Sequence, residues 1–214
     1  MAKPTGALLA FDARGQIGKT LVYASWRGRG YARRYVIPAN PRSAEQTLTR
    51  TAFSWLTQVW KMGPAIFQGP WTLYATGQVF TDRNALNAKN VSTLRSATDL
   101  SGMVMTPGAK GGVALTNATF TAGNDLITVA GTTPTPPTGW TVTAVQACCI
   151  RDQDPNTGVL YTITAGEDTS SPYSFDLTGL TGGVLYYCAA WIKWLKPDGT
   201  VAYGPQFSGS ATPT

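Results

Sequence analysis

The stretch YSFDLTGLTGGVLYYCAAWIKWLKPDGTVAYGP, residues 173–205, decides the fold of this chain. It holds two runs of strand-like composition, YSFDL and VLYYCAAWIKWL, and a third candidate strand near VAYG. Glycines lie between the first two runs, and Pro197-Asp198-Gly199 supplies a tight turn between the last two. The stretch therefore predicts antiparallel β structure that ends in a hairpin.

The same alternation extends upstream to about Val113. Candidate strands in that region are VALTNATF, LITVAG, WTVTAVQACCIR and LYTITAG, separated by turn signals such as GND, PTPPTG and DPNTG. Together with residues 173–205 they make about seven short strands, at the spacing typical of a β-sandwich. We expect residues 113–214 to form an all-β sandwich domain.

Residues 173–205 resemble the second half of fibronectin type III and immunoglobulin domains. In those domains a strand ends in a Leu-containing turn, a Gly-containing corner follows, and a Tyr opens the next long strand. Leu180 matches the turn leucine, Tyr186 the corner tyrosine and Pro197-Asp198-Gly199 the last hairpin turn. The resemblance implies an immunoglobulin-like sandwich used for binding or assembly.

The three cysteines leave two interpretations open. YYCAA invites an antibody-type reading, in which Cys188 pairs with Cys148 or Cys149 across the two sheets. No Trp lies between these cysteines to serve as the usual packing residue, and the chain shows no secretory signal. The alternative, which these observations favour, is three buried free thiols acting as small apolar side chains.

The N-terminal part is predicted to begin with short strands separated by glycines. The candidate segments are GALLAFDA, KTLVYASW and YARRYVIP, and RGRG at residues 27–30 joins the last two. Segments rich in Tyr, Val and Trp on either side of such a turn predict a hairpin with a strongly basic tip.

A capped amphipathic helix is predicted over residues 44–62. Ser43 is a good N-cap, and Gln46 three residues later can complete a capping box. Gly63 can adopt the left-handed cap, and Pro64 cannot continue the hydrogen-bond ladder. The apolar face of the helix consists of Leu48, Ala52, Leu56 and Val59, widened by Phe53, Trp55 and Trp60.

The segments after this helix suggest where the domains divide. Residues 64–80 predict an irregular segment or a short second helix, and residues 81–95 a third helix capped by Thr81 or Asp82. Gly and Pro become frequent in residues 96–112, which predicts a linker. The expected organisation is α+β, with a hairpin-and-helix module in residues 1–100 and the sandwich in residues 113–214.

Positive charge is concentrated in residues 1–63, which stand at +8, whereas the remainder stands at −2. Only Asp12 and Glu45 oppose Lys3, Arg14, Lys19, Arg27, Arg29, Arg33, Arg34, Arg42, Arg50 and Lys61. This asymmetry predicts an anionic partner for the N-terminal part, such as nucleic acid, a membrane surface or the acidic face of a protein.

Residues 15–95 carry a further pattern, in which a Gly-rich hairpin and a basic strand precede Asn-Pro-Arg-Ser/Thr-x-x-Gln and an amphipathic helix. The matching positions are Asn40, Pro41, Arg42, Ser43 and Gln46, with Asn84 and Asn90 in a later segment. This pattern resembles a group of small proteins encoded by tailed bacteriophages and prophages, although Leu86 stands where that group usually has an aromatic residue. The resemblance implies a structural component of the tail, neck or capsid surface, made in the host bacterial cytoplasm and assembled with other virion proteins and copies of itself.

The candidate interface is the basic aromatic stretch of the hairpin, together with the arginine of the Asn-Pro-Arg motif. Its residues are Trp26, Arg27, Arg29, Tyr31, Arg33, Arg34 and Arg42. Arg, Trp and Tyr are the usual anchors of protein interfaces, which favours assembly. The same residue types bind phosphates and stack on bases, so a DNA-binding accessory protein is the alternative, and a carbohydrate- or surface-binding sandwich is a third hypothesis.

Enzymatic motifs are weak or absent in the sequence. Ala13–Thr20 has loose phosphate-loop spacing but is followed by strand-like residues rather than a helix, and Asp152, Asp154 and Asn156 match only the start of a calcium loop. No histidine is present and no apolar run is long enough to span a membrane. We expect neither catalysis, nor a cofactor, nor a bound metal, nor a membrane span.

Overall fold

A computed structural model describes residues 15–26, 29–37, 39–40, 42–97, 99–153 and 163–214. In this part of the chain, three helices and twelve strands form an α+β protein whose sheets are antiparallel. The chain divides into two compact units, Met1–Arg42 and Ser43–Thr214.

The first unit contains a three-stranded antiparallel sheet of β1 (Gly15–Ile17), β2 (Leu21–Trp26) and β3 (Arg29–Arg34). Gly18 and Lys19 turn the chain between β1 and β2 with left-handed φ values of 54° and 58°. The β2–β3 register pairs Trp26 with Arg29. The predicted pairing of the two hairpin strands is confirmed, but Arg29 and Gly30, which we assigned to the turn, belong to β3. Residues 27–28 and the segment GALLAFDA lie outside the described residues.

The second unit begins with α1 (Ala44–Met62), which has the predicted bounds. The Ser43 hydroxyl accepts a hydrogen bond from the Gln46 backbone N–H at 3.4 Å, as expected of an N-cap. The expected left-handed cap at Gly63 is wrong, because Gly63 is extended at φ −62° and its N–H bonds to the Val59 carbonyl. Pro64 follows at once as the N-cap of the next helix, so the chain turns without a left-handed residue.

Two further helices follow, α2 (Ala65–Ala75) and α3 (Asp82–Leu94). The Thr81 hydroxyl caps α3 by accepting from the Asn84 N–H at 3.3 Å, which confirms one of the two predicted caps. Asn90 is fully buried in α3, where its amide donates to the carbonyls of Leu86 and Val104 and accepts from the Val104 N–H. Asn90 thus has a structural role through its side chain, whereas Asn84 contributes only its backbone N–H to the cap.

Nine strands of the second unit form two sheets. The six-stranded sheet has the order β4-β11-β10-β7-β8, with β12 also paired to β10, and the three-stranded sheet has the order β5-β6-β9. The strands are β4 (Pro107–Ala109), β5 (Thr119–Gly123), β6 (Leu126–Gly131), β7 (Thr141–Arg151), β8 (Thr164–Asp168), β9 (Tyr173–Thr178), β10 (Tyr186–Leu195), β11 (Val201–Pro205) and β12 (Phe207–Ala211).

The two central strands, β7 and β10, are buried on both faces. Successive residues of a strand point to opposite sides. Cys148 and Trp191 face a core shared with the helices, whereas Cys149 and Ile192 face a core shared with the three-stranded sheet. The second unit therefore has three layers: helices, the six-stranded sheet and the three-stranded sheet.

Residues 99–112, where we expected a linker, pack against the helices and the sheet. Met103 and Met105 are buried in the helix-side core, and Pro107–Ala109 forms the edge strand β4. The Trp71 indole N–H donates to the Met105 carbonyl at 2.9 Å, and the Gln206 side chain donates to the Met103 carbonyl at 3.0 Å. The compact units divide between Arg42 and Ser43 instead.

A hydrogen bond to Tyr186 closes the corner before β10. The Tyr186 hydroxyl accepts a hydrogen bond from the Thr181 N–H at 3.0 Å, and Leu180 is buried in the core between the sheets. Pro197-Asp198-Gly199 turns the chain between β10 and β11, with the Gly199 N–H donating to the Lys196 carbonyl.

All three cysteines are free and buried. Cys149 and Cys188 are directly opposed on the neighbouring strands β7 and β10, which belong to one sheet. A bridge across two sheets is therefore excluded by the topology. The interpretation as buried thiols is confirmed.

Replacing Tyr186 with Phe should lower the free energy of unfolding by about 0.5–1.5 kcal/mol, because the partly buried Thr181 N–H would lose its acceptor. Chemical denaturation of the full chain measures this loss. Tyr74→Phe is the matched control, since no hydrogen bond of the Tyr74 hydroxyl is found in the described part of the chain. An equal loss in both variants would contradict a specific role for the corner hydrogen bond.

Alkaline pH should destabilise the fold. Burial raises the pKa of the Cys148 thiol well above its usual value, with the nearby Cys149 as a further cause, whereas an unfolded thiol titrates near about 8.5. Above that pH the unfolded state has lost protons that the native state retains, so the free energy of unfolding falls by up to about 1.4 kcal/mol per pH unit for such a thiol.

Denaturation of wild type and Cys148→Ala at pH 7.5, 9 and 10 tests this linkage. The variant should show the shallower decline, because it lacks one of the groups that titrate only in the unfolded state. Parallel declines in the two proteins would contradict it.

Candidate functional site

The register of the first sheet sorts the candidate residues onto two faces. On one face Val22 lies opposite Arg33, and Ala24 lies opposite Tyr31. On the other face Leu21 lies opposite Arg34. Tyr31 and Arg33 are therefore brought together, while Arg34 lies on the opposite face, because successive residues of a strand point to opposite sides.

The structure describes the remaining candidate residues only in part. Trp26 and Arg29 close the β2–β3 ladder through their backbones, and their side chains lie outside the described part. Arg27 also lies outside the described residues. Arg42 belongs to no strand and has a left-handed φ of 49°, a strained conformation for a residue with a side chain. It immediately precedes the N-cap Ser43, at the division between the two compact units.

No side chain described in residues 15–42 is buried. Tyr31 is 44% exposed, and the apolar side chains of Ile17, Leu21, Val36 and Ile37 are exposed to between 40% and 76%. A small sheet normally needs an apolar face packed against another element to be stable. The four aliphatic residues were missed by sequence reasoning, because strand-like composition does not reveal which face remains uncovered.

The charged residues of this segment are all cationic. Residues 15–42 contain no carboxylate, and their cations are Lys19, Arg27, Arg29, Arg33, Arg34 and Arg42. Within the described ranges, no ion pair is found for Arg33, Arg34 or Arg42. The sheet thus combines uncovered apolar side chains with unneutralised positive charge, which suits it to bind an anionic surface.

The phosphate-loop spacing is not supported by the local structure. Gly18, Lys19 and Thr20 form the turn after β1, and the Thr20 N–H and hydroxyl both donate to the Ile17 carbonyl. The strand β2 follows this turn, whereas a phosphate loop needs a helix whose N-terminus faces the phosphates. Of the calcium-like triplet, Asp154 and Asn156 lie outside the described residues.

Within the described ranges, no group of three or more metal-ligating side chains is close enough to hold an ion. Helices in the same ranges include none that is long and apolar enough to cross a membrane. A scan against family models and a search of curated proteins each gave no match to this chain.

A chain reduced to residues 43–214 should fold on its own. Every described residue assigned to the two buried cores follows Ser43, so removal of residues 1–42 takes none of these residues away. We expect a cooperative thermal transition within about 3 °C of the full chain, measured by circular dichroism or calorimetry. A broad, non-cooperative transition would contradict this expectation.

Proposed function

We propose that the chain is a structural component of a tailed bacteriophage particle, in its tail, neck or capsid surface. In this proposal the first unit docks onto the particle and the second unit presents an immunoglobulin-like sandwich. The observation that carries the docking role is the sheet of β1, β2 and β3, in which no described side chain is buried and every charged residue is an arginine. The assignment to a phage particle is supported by the resemblance of residues 15–95 to phage and prophage proteins.

The docking chemistry follows from the two faces of the sheet. Tyr31 and Arg33 together offer a ring and a guanidinium on one face, and both residue types are enriched among interface anchors. Leu21 and Arg34 make a similar apolar and cationic pair on the other face. A partner with carboxylates around an apolar patch would cover both kinds of group at once.

The immunoglobulin-like assignment of the second unit is supported by its strand order. β6 pairs with β9 although β7 and β8 lie between them in sequence, so the chain passes to the other sheet and returns. Crossovers of this kind are typical of immunoglobulin-like sandwiches, as is a tyrosine that bonds back to the backbone at the corner before a long strand. The Tyr186–Thr181 hydrogen bond has that form.

Mass spectrometry of purified virions from a strain that encodes this chain tests the location. The proposal expects the full chain in stoichiometric amounts and the chain lacking residues 1–42 only in the lysate. Absence of the full chain from the particles would overturn the proposal. Equal incorporation of the truncated chain would overturn the docking role alone.

Charge reversal tests whether the arginines of the sheet take part in docking. The double variant Arg33→Glu/Arg34→Glu should reduce incorporation into virions by about tenfold or more, because it removes one anchor cation from each face. Lys61→Glu/Lys89→Glu is the matched control, since it reverses two exposed lysines on helices of the second unit. Equal incorporation of both double variants would contradict docking through the sheet.

Nucleic-acid binding is the second candidate function, favoured by the six cations without a neighbouring carboxylate in residues 15–42. Phosphate contacts make affinity fall steeply with salt, by about 10³-fold or more between 50 and 200 mM for six or more contacts. A fluorescence anisotropy titration with a short DNA duplex over that range measures the slope. No binding at the lowest salt would eliminate this alternative.

A further inference from the structure

A groove of about 460 Å³ lies on the second unit between α2 and the β10–β11 hairpin. Thr72 and Leu73 line it from the helix, and Lys193, Val201 and Tyr203 line it from the two strands. Its size is within the range of about 300–1,000 Å³ found for small-molecule sites. Nothing in the proposed docking role uses this surface.

The polar end of the groove is built by two cross-strand neighbours. Lys193 on β10 lies directly opposite Tyr203 on β11, so both side chains point to the same face. On the same face Ala189 and Trp191 precede Lys193 and are buried in the helix-side core, while Gln146 on β7 and Glu167 on β8 are the polar residues beside them. No hydrogen bond or ion pair of the Lys193 ammonium is found within the described part of the chain.

Gly69 of α2 makes room for the Tyr203 side chain. A Cβ atom at position 69 would lie 3.0 Å from the Tyr203 hydroxyl oxygen, closer than nearly all real contacts of this kind. Glycine inside a helix is unfavourable, so its presence here is explained by the close approach of the phenol. Burial and the nearby Glu167 raise the pKa of Tyr203 above its usual value. A phenol is protonated near neutral pH, so this hydroxyl can act as a donor.

Two carboxylates beside the groove accept hydrogen bonds from other groups of the chain. Glu167, which acts on Tyr203, accepts a hydrogen bond from the Gln146 amide at 2.7 Å. Asp82 accepts from the Thr72 hydroxyl at 3.3 Å and from the Arg83 N–H at 2.7 Å. A second cation, Lys110, donates to the Thr76 carbonyl at the groove lining.

We infer that this groove binds a small organic carboxylate with an apolar body. The Lys193 ammonium and the Tyr203 hydroxyl are both donors, and together they would hold the two oxygens of one carboxylate. Leu73 and Val201 would pack against the apolar part of the ligand. Charge-assisted hydrogen bonds in a partly apolar site are stronger than those between neutral groups, which selects a carboxylate over its amide.

The test uses the full chain with 3-phenylpropionate as probe and 3-phenylpropanamide as its neutral analogue. In an NMR titration, the carboxylate should shift the amide signals of Gly69 and Val201 with a Kd of about 1 mM. The neutral amide should bind at least about tenfold more weakly, because it cannot form the charge-assisted bonds. No shift at these amides with about 10 mM carboxylate, or equal binding of the two probes, would overturn the inference.

Variants identify the groups responsible. Lys193→Gln should reduce the affinity for 3-phenylpropionate by about tenfold or more. Tyr203→Phe should reduce it by a smaller factor, because only the first substitution removes a charge. Lys196→Gln is the matched control, because Lys196 lies over the Trp140 ring at 5.0 Å and does not line the groove. Unchanged binding in a folded Lys193→Gln variant would overturn the inference, as would an equal loss in Lys196→Gln.

Discussion

The pairing of β7 with β10 is the interaction on which the rest of the structure depends. The two strands pair along their whole length, from Thr141 opposite Leu195 to Arg151 opposite Tyr186. Because both faces of this ladder are buried, it needs apolar cover on two sides. The helices supply one cover and the three-stranded sheet supplies the other. Loss of either cover would expose one apolar face of the ladder to water.

Two-sided burial also dictates where polar atoms must be paired. Each buried tryptophan N–H needs an acceptor, because an unpaired buried donor costs about 1–3 kcal/mol. Trp191 donates to the Gln146 side chain on the helix side, Trp194 to the Val113 carbonyl, and Trp71 to the Met105 carbonyl. The last two bonds attach the segment between α3 and β5 to the six-stranded sheet and to α2, respectively. Asn90 attaches the same segment to α3, because its side chain donates to the Val104 carbonyl and accepts from the Val104 N–H.

Local signals in the sequence predicted most individual elements but not this arrangement. The helix over residues 44–62 and the strand Leu126–Gly131 agree with prediction because their caps and turns are local. The run WTVTAVQACCIR was predicted as a strand, but periodicity does not tell what covers each of its faces. Residues 99–112 looked like a linker because Met103 and Met105 are sparse apolar residues among glycines, and their burial depends on partners distant in sequence. The β12 strand was missed for a similar reason, since FSGSA carries little apolar surface and is held by its pairing with β10.

The sequence also predicted only part of the candidate interface. Its basic and aromatic residues were visible in the sequence, but exposure of Ile17, Leu21, Val36 and Ile37 follows only from the fold. The second unit has two complete cores, whereas no described side chain of residues 15–42 is buried. Under the proposed function this contrast has a physical consequence. Apolar burial that the sheet lacks in one chain would be completed at docking, so that attachment and stabilisation of the sheet become one event. A partner that neutralised the arginines without covering the aliphatic residues would leave that burial incomplete, which is why the proposal requires a protein surface that is both acidic and apolar.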